Sequence, residues 1–209
     1  MIKKLLEMLA SGGNEQQLVL LDPASLAAAP REPDLRVIGM FCDVHEEKVA
    51  EVIHAMLYLS EMNRIAQKEE DKHPIDFYLS TYGGSADDMF ALYDVMRTVR
   101  QDTPIHTFGL GKVMSAGVLL LAAGTKGKRR IAKNCRVMIH SVAAGNHGNL
   151  QDLTNELEAI QDLQDMYTSC LVAETNMSES GIKEMLNRNV NVYLSAVEAV
   201  KLGIADIIV

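Results

Sequence analysis

Nowhere does the 209-residue chain carry an apolar run approaching the ~20 residues a membrane helix needs. The longest, Val118 to Ala123, is far too short. Cysteine is also scarce. The three present, Cys42, Cys135 and Cys170, are far apart and have no CxxC spacing. They provide neither a disulfide framework nor a zinc site and read as buried free thiols of a reducing compartment. Positive charge is in short supply, with 20 Lys and Arg against 28 Asp and Glu, a formal net charge of -8. A chain of that sign repels phosphate backbones, which argues against nucleic acid as its main partner. No His, Asp or Glu spacing suggests a metal, and no GxGxxG follows a strand. Internal repeats and low-complexity tracts are missing too. What remains is 48% hydrophobic and 23% charged, enough for one packed domain.

The first 35 residues differ from the rest. MIKKLLEMLASGGNEQ has two lysines and a short apolar patch, without the long apolar core of a secretory signal. Gly12-Gly13, Pro23, Pro30 and Pro33 then punctuate a stretch with no sustained periodicity. We read residues 1–35 as an arm, 36–209 as the folded domain, and the location as cytoplasmic. From Arg36 the pattern is regular. RVIGMF reads as a strand, and Val49, Val52, Ile53, Met56 and Leu57 recur at helical spacing. IDFYLS is a second strand, with Gly83-Gly84 as the turn behind it. Ser85 and Asp88 make a capping-box pattern before the helix of Met89, Leu92, Tyr93 and Met96. IHTFGL, a helix Ser115 to Ala123, and the strand CRVMIH follow. Asn149 is expected to cap a long helix striped by Leu150, Leu153, Leu157, Ile160, Leu163 and Tyr167. Ser195 and Glu198 form another capping box, and IADIIV is a last strand. Strands alternating with helices predict an α/β fold with parallel pairing and right-handed crossovers.

Three places in this pattern can carry chemistry. Ser115 stands where a strand ends and a helix begins, a position that exposes a side chain at the carboxyl edge of a sheet. The following N–H, on Ala116, is oriented to stabilise an oxyanion. Taken alone, Ser115 reads more plainly as an ordinary N-cap. His140 ends an apolar strand and faces the edge where ligands collect in α/β proteins; a hydrogen-bonded structural histidine is the competing reading. Gly83-Gly84 permits close backbone approach to a ligand or simply makes a tight turn. Together the three are stronger than apart, because nucleophile, base and a second oxyanion donor would meet at one edge. The basic run Lys126, Lys128, Arg129 and Arg130 reads as a solvated hairpin.

The block GKVMSAGVLLLAAGTKGKRRIAKNCRVMIH resembles the signature region of the proteolytic subunits of the Clp ATP-dependent protease, the ClpP family. It has the serine region, the AAG-x-KGKR hairpin and the R-V-M-I-H histidine region. YGGSADDMFALYDVMR resembles that family's S-P-G-G segment and the helix after it, and YLSAVEAVKLGIAD its closing segment. The resemblance runs from about Arg36 to Asp206. It implies a crotonase-like fold of repeated ββα turns with a protruding handle helix, about 141–175, and two stacked rings of seven subunits. It implies Ser115 as nucleophile, His140 as base, and Gly84 and Ala116 as backbone oxyanion donors, with no cofactor and no metal. The arm would line an axial pore, and an AAA+ unfoldase would deliver unfolded chains.

The sequence also departs from that family. The position of its triad aspartate holds Asn191, which can accept a hydrogen bond from His140 but supplies no charge to an imidazolium. In one serine protease Asp to Asn costs ~10⁴ in turnover, yet Cys-His-Asn sites work. Tyr82 replaces the family's proline and Ala116 the methionine after its serine; an N–H survives both changes. Val190 stands where the family has a ring-pairing arginine, and Asp76 where it has an aromatic of its unfoldase pocket, although Tyr78 remains. Three functions follow from these features. The first is a serine endopeptidase subunit of a Clp-like barrel. The second is a catalytically weak or inactive ring subunit in a mixed barrel. The third, disfavoured by the Ser-His pairing and the KGKR hairpin, is a crotonase-fold acyl-CoA enzyme.

Overall fold

The computed structural model describes residues 35–145, 147–188 and 190–209. The expected arm, apart from Leu35, lies outside the described residues.

Seven strands and six α-helices make up the described chain, alternating except where β4 leads directly to β5 and α4 to α5. They are β1 Val37–Met40, α1 Glu46–Ile65, β2 Ile75–Thr81, α2 Ala86–Val99, β3 Ile105–Met114, α3 Ala116–Ala122, β4 Arg130–Ile131, β5 Arg136–Ile139, α4 Leu150–Glu174, α5 Glu179–Asn187, β6 Val192–Leu194, α6 Ala196–Lys201 and β7 Ile207–Ile208. The sheet runs β1-β2-β3-β4-β7, all parallel. Strand β3 changes partner along its length. Phe108 and Gly109 pair with β4, whereas Lys112 to Met114 pair in parallel with β5. This division brings the carboxyl ends of β3 and β5 together. One pairing departs from the expected parallel pattern, since β5 and β6 are antiparallel. Two helices, α4 and α5, separate them. A single helix would return the chain to the starting edge of the sheet, and the second reverses that return.

The alternation of β2, IDFYLST, has its physical counterpart in burial. Ile75, Phe77, Leu79 and Thr81 are buried and the residues between them half-buried. Helix α3, AGVLLLA, is buried at every position, so the longest apolar run of the sequence is its central helix. Each Leu or Val there contributes ~1.5–3 kcal/mol relative to exposure. In α1, Val49, Val52, Met56 and Leu59 face the core, but Leu57, expected on that face, is 49% exposed.

Helix starts follow the sequence signals fully at α4 and α6 and in part at α2. Asn149 caps α4 by accepting the N–H groups of Gln151 and Asp152. At α6 both halves of the Ser195–Glu198 box are formed. At α2 the Ser85 hydroxyl accepts the Asp88 N–H, but the Ser85 N–H donates instead to the Val44 carbonyl at 2.9 Å. Asp88 therefore has no donor to take, and only half of the expected box exists.

Two further expectations are corrected by burial. The basic run is not uniformly a solvated hairpin. Lys126 and Lys128 are exposed, but Arg129 is buried. Its guanidinium binds the Asp206 carboxylate and donates to the carbonyls of Ala122 and Glu174 at 3.2 and 2.7 Å. It thereby satisfies a carbonyl at the end of α3 that the helix leaves orphaned. Arg130 lies in β4, so the run is partly sheet. The cysteines are free, but only Cys135 is buried, and Cys42 and Cys170 are half-buried. Burial pushes the Cys135 thiol up to about 11, which leaves it protonated and inert at neutral pH.

Candidate active site

Parallel pairing explains how residues far apart in sequence reach one edge. Strands β2, β3 and β5 are neighbours and run the same way. Their carboxyl ends deliver Gly83-Gly84, Ser115 and His140 to adjacent places. The Ser115 N–H donates to the Met138 carbonyl at 2.8 Å, locking the start of α3 to β5. His140 follows one residue after the end of β5. Its Nε2 lies 2.8 Å from the Ser115 Oγ. With the proton on Nδ1, Nε2 is free to accept the hydroxyl hydrogen.

Ser115 has φ 53 and ψ -123, and is the sole non-glycine with positive φ among the described residues. Such backbone costs of order 1–3 kcal/mol and persists only where the surroundings over-determine it. An ordinary N-cap serine is extended and its side chain accepts an N–H of the first turn. Ser115 does neither; it makes no capping bond, and its hydroxyl is turned to His140. The Ser115 carbonyl accepts twice, from the Val118 N–H at 3.0 Å and from the Tyr167 hydroxyl at 3.1 Å.

The glycine turn packs directly beneath the serine. A Cβ on Gly83 would stand 2.6 Å from the Ser115 Cβ and 2.9 Å from the Met114 carbonyl oxygen. No side chain fits there, and both glycines have positive φ, 104 and 150. The Thr81 hydroxyl accepts the Gly83 N–H at 3.0 Å and fixes the turn. Val44 pairs with this segment as an isolated parallel bridge. Its N–H donates to the Gly83 carbonyl, and its carbonyl accepts the Ser85 N–H. In such a ladder the intervening residue directs its own N–H to the opposite side. The Gly84 N–H therefore points away from Val44, and Gly84 lines a cavity of about 200 Å³ with Ser115, Ala116 and His140. Ala116 is the first residue of α3, so its N–H has no intrahelical acceptor. Apolar side chains, Met89, Phe90, Leu163 and Tyr167 among them, close the rest of this cavity.

Asn191 stands apart from the other expected site residues. The antiparallel register pairs Ile139 with Val192, so one step further sets Asn191 across from His140. Yet Asn191 is exposed, and no hydrogen bond joins it to His140 among the described residues. The structure thus brings Ser115, His140, Gly84 and Ala116 together, with Asn191 a strand-neighbour only.

Sequence reasoning treated Tyr167 as one more apolar residue of the α4 stripe. Its ring is 5% exposed, but its hydroxyl reaches the serine backbone. Burial pushes the phenol well above its ordinary value, so it is a hydroxyl donor throughout the physiological range. A polar-tipped aromatic in an otherwise aliphatic stripe was the available signal. Among the described residues, no group of His, Cys, Asp or Glu is placed to hold a metal ion.

A mixed α/β sheet thus carries a serine and a histidine on adjacent strand ends over a glycine turn. The family model described as Clp protease matches residues 33–209, and the chain belongs to that family. Its fold is accordingly the ClpP fold. Among curated relatives, the chain is 32% identical over 173 residues to a protein named ATP-dependent Clp protease proteolytic subunit 1, from Prochlorococcus marinus (strain MIT 9312). The alignment covers 83% of each chain. No helix among the described residues is long and apolar enough to cross a membrane.

Proposed function

We propose that the chain is a serine endopeptidase subunit of a Clp-type protease. The observation that carries this reading is the 2.8 Å contact between Ser115 Oγ and His140 Nε2 at a strained strand-to-helix turn. Ser115 is the nucleophile and His140 the general base. As Oγ bonds to the scissile carbonyl carbon, its proton passes to Nε2. The carbonyl oxygen becomes an oxyanion held by the N–H groups of Gly84 and Ala116. Collapse of this intermediate breaks the C–N bond, and the imidazolium returns the proton to the leaving amine. Water, deprotonated by the same nitrogen, then hydrolyses the acyl-enzyme.

The relative's name, an ATP-dependent proteolytic subunit, supports the wider setting. In it the chain assembles as a ring of seven or a double ring, homomeric or mixed with a second subunit type. An AAA+ unfoldase feeds it proteins, short peptides are cut without ATP, and the location is cytoplasmic. The arm of residues 1–35 contributes to the axial entrance, and residues 141–175 form the handle between rings. A fluorophosphonate probe tests the chemistry. Mass spectrometry of the labelled protein finds the adduct on Ser115, and Ser115→Ala abolishes labelling and peptidase activity together. Intact assembled protein that never labels would sink the reading.

One observation favours the second reading, a weak or inactive ring subunit: the exposed Asn191 makes no hydrogen bond to His140. An imidazolium formed there lacks an anionic neighbour. Asn191→Asp should therefore raise turnover of a fluorogenic peptide several-fold, with assembly unchanged by sedimentation. Equal or lower turnover in an intact assembly would show that the site is built around the amide or that position 191 lies outside it.

A further inference from the structure

We propose that Tyr167 is a positioning residue for the Ser115 site, setting through one hydrogen bond the orientation of the peptide that carries the Ala116 N–H. The inference rests on the reading of Ser115 as nucleophile and Ala116 as oxyanion donor. The Ser115 carbonyl and the Ala116 N–H belong to one planar peptide unit and point in opposite directions. Whatever fixes the carbonyl therefore fixes the N–H. Two groups hold that carbonyl, the Val118 N–H and the Tyr167 hydroxyl. The first lies within α3 and turns with it. The second comes from α4, 52 residues away in sequence, and anchors the peptide to a separate element. The ring of Tyr167 is buried against the core and fixed in place, so its hydroxyl is a rigid post. The bond opposes relaxation of a backbone whose φ of 53 is unfavourable for serine. Tyr167 also lines the cavity beside Ser115, although its hydroxyl is spent on the carbonyl.

A donor aimed at the oxyanion acts in the transition state and not in the ground state. Tyr167→Phe should therefore lower kcat for a fluorogenic peptide about 10-fold, less than outright loss of an oxyanion donor, with KM unchanged. The inhibition constant of a peptide boronate, which mimics the tetrahedral adduct, should weaken by the same factor. Tyr167→Met, which refills space without a hydroxyl, should show the same split and serves if the phenylalanine variant fails to fold. A tyrosine that merely packs would leave kcat untouched in a folded variant, or raise KM alone, and either result overturns the proposal. A crystal structure of the variant supplies the readout independent of turnover. A turned Ser115–Ala116 peptide, with Oγ displaced from His140, is expected; an unmoved peptide overturns the proposal. If wild-type Ser115 never labels, the peptidase reading fails by itself, and the orientation of that peptide still decides the role of Tyr167.

Discussion

The two ends of helix α4 have similar apolar spacing and opposite fates. Toward its start, Leu150, Leu153 and Leu157 are 82%, 42% and 56% exposed. Toward its end, Tyr167 and Leu171 are buried, and Glu174 is 1% exposed. The last turns pack against α3 and α5, while the first turns have no partner within the described chain. Periodicity shows which face of a helix is apolar; it says nothing about what covers that face. The covered end touches the Ser115 backbone and holds a charge cluster. The uncovered end presents leucines, a contiguous apolar surface of the kind that marks association.

The sharpest way to break the contrast is at the buried charge. Glu174 accepts from Arg100 at 2.7 and 2.9 Å and from the Tyr93 hydroxyl at 3.0 Å. Removing one member of such a pair leaves the other uncompensated, so Glu174→Ala should lose about 4 kcal/mol in urea denaturation. Survival of the variant at wild-type stability would mean that the cluster is solvated and the two ends differ less than their burial indicates.

Acid titration tests the same cluster more gently. Burial alone would raise the Glu174 carboxyl, but the Arg100 hydrogen bonds and charge outweigh it and hold the group below its ordinary value. A carboxyl depressed in the folded state contributes stability that is present above its unfolded value. That stability is lost as pH falls through the folded value. The wild type should therefore weaken as pH drops below the ordinary glutamate range of ~4.3. Glu174→Gln should flatten that part of the curve, and an unchanged acid limb would assign the sensitivity elsewhere.

The smallest effect on stability is expected at the open end. Leu153→Ser with Leu157→Ser should change the unfolding free energy of the chain by less than about 0.5 kcal/mol per site. The same pair should reduce the mass seen in sedimentation, because the exposed leucines are the surface available to another copy. Loss of stability without loss of association would reverse the assignment of the two ends.

Legibility in the sequence followed the same divide between local pattern and distant contact. Ser115, His140 and the glycine pair were readable because each follows a strand with a clear apolar pattern, alternating in β2 and β3 and continuous in β5, and strand ends converge wherever pairing is parallel. Strand β4 was hidden because two residues, the last of a basic run and the isoleucine after it, carry no pattern. Helix α5 buries just Ile182 and Leu186, too few to make a stripe. The burial of Arg129 depends on Asp206, 77 residues on, and the second bond of the Ser115 carbonyl depends on Tyr167. No window of sequence contains both partners. Asn191 was legible as a position, through the family pattern, but its exposure and missing bond to His140 belong to the register of a three-residue strand.

The turn at Ser115 sets two kinds of selection against each other. With φ 53 and ψ -123, the backbone there suits glycine, whereas the proposed chemistry requires a hydroxyl. Alanine at 115 removes the hydroxyl and keeps the strain; glycine removes both. A lineage freed from the need for the nucleophile and screened only for heat resistance would drift toward glycine at this position. A lineage still cutting peptides keeps serine and accepts a less stable fold. Among descendants of this chain, the residue at 115 would then record whether the hydroxyl was still under selection.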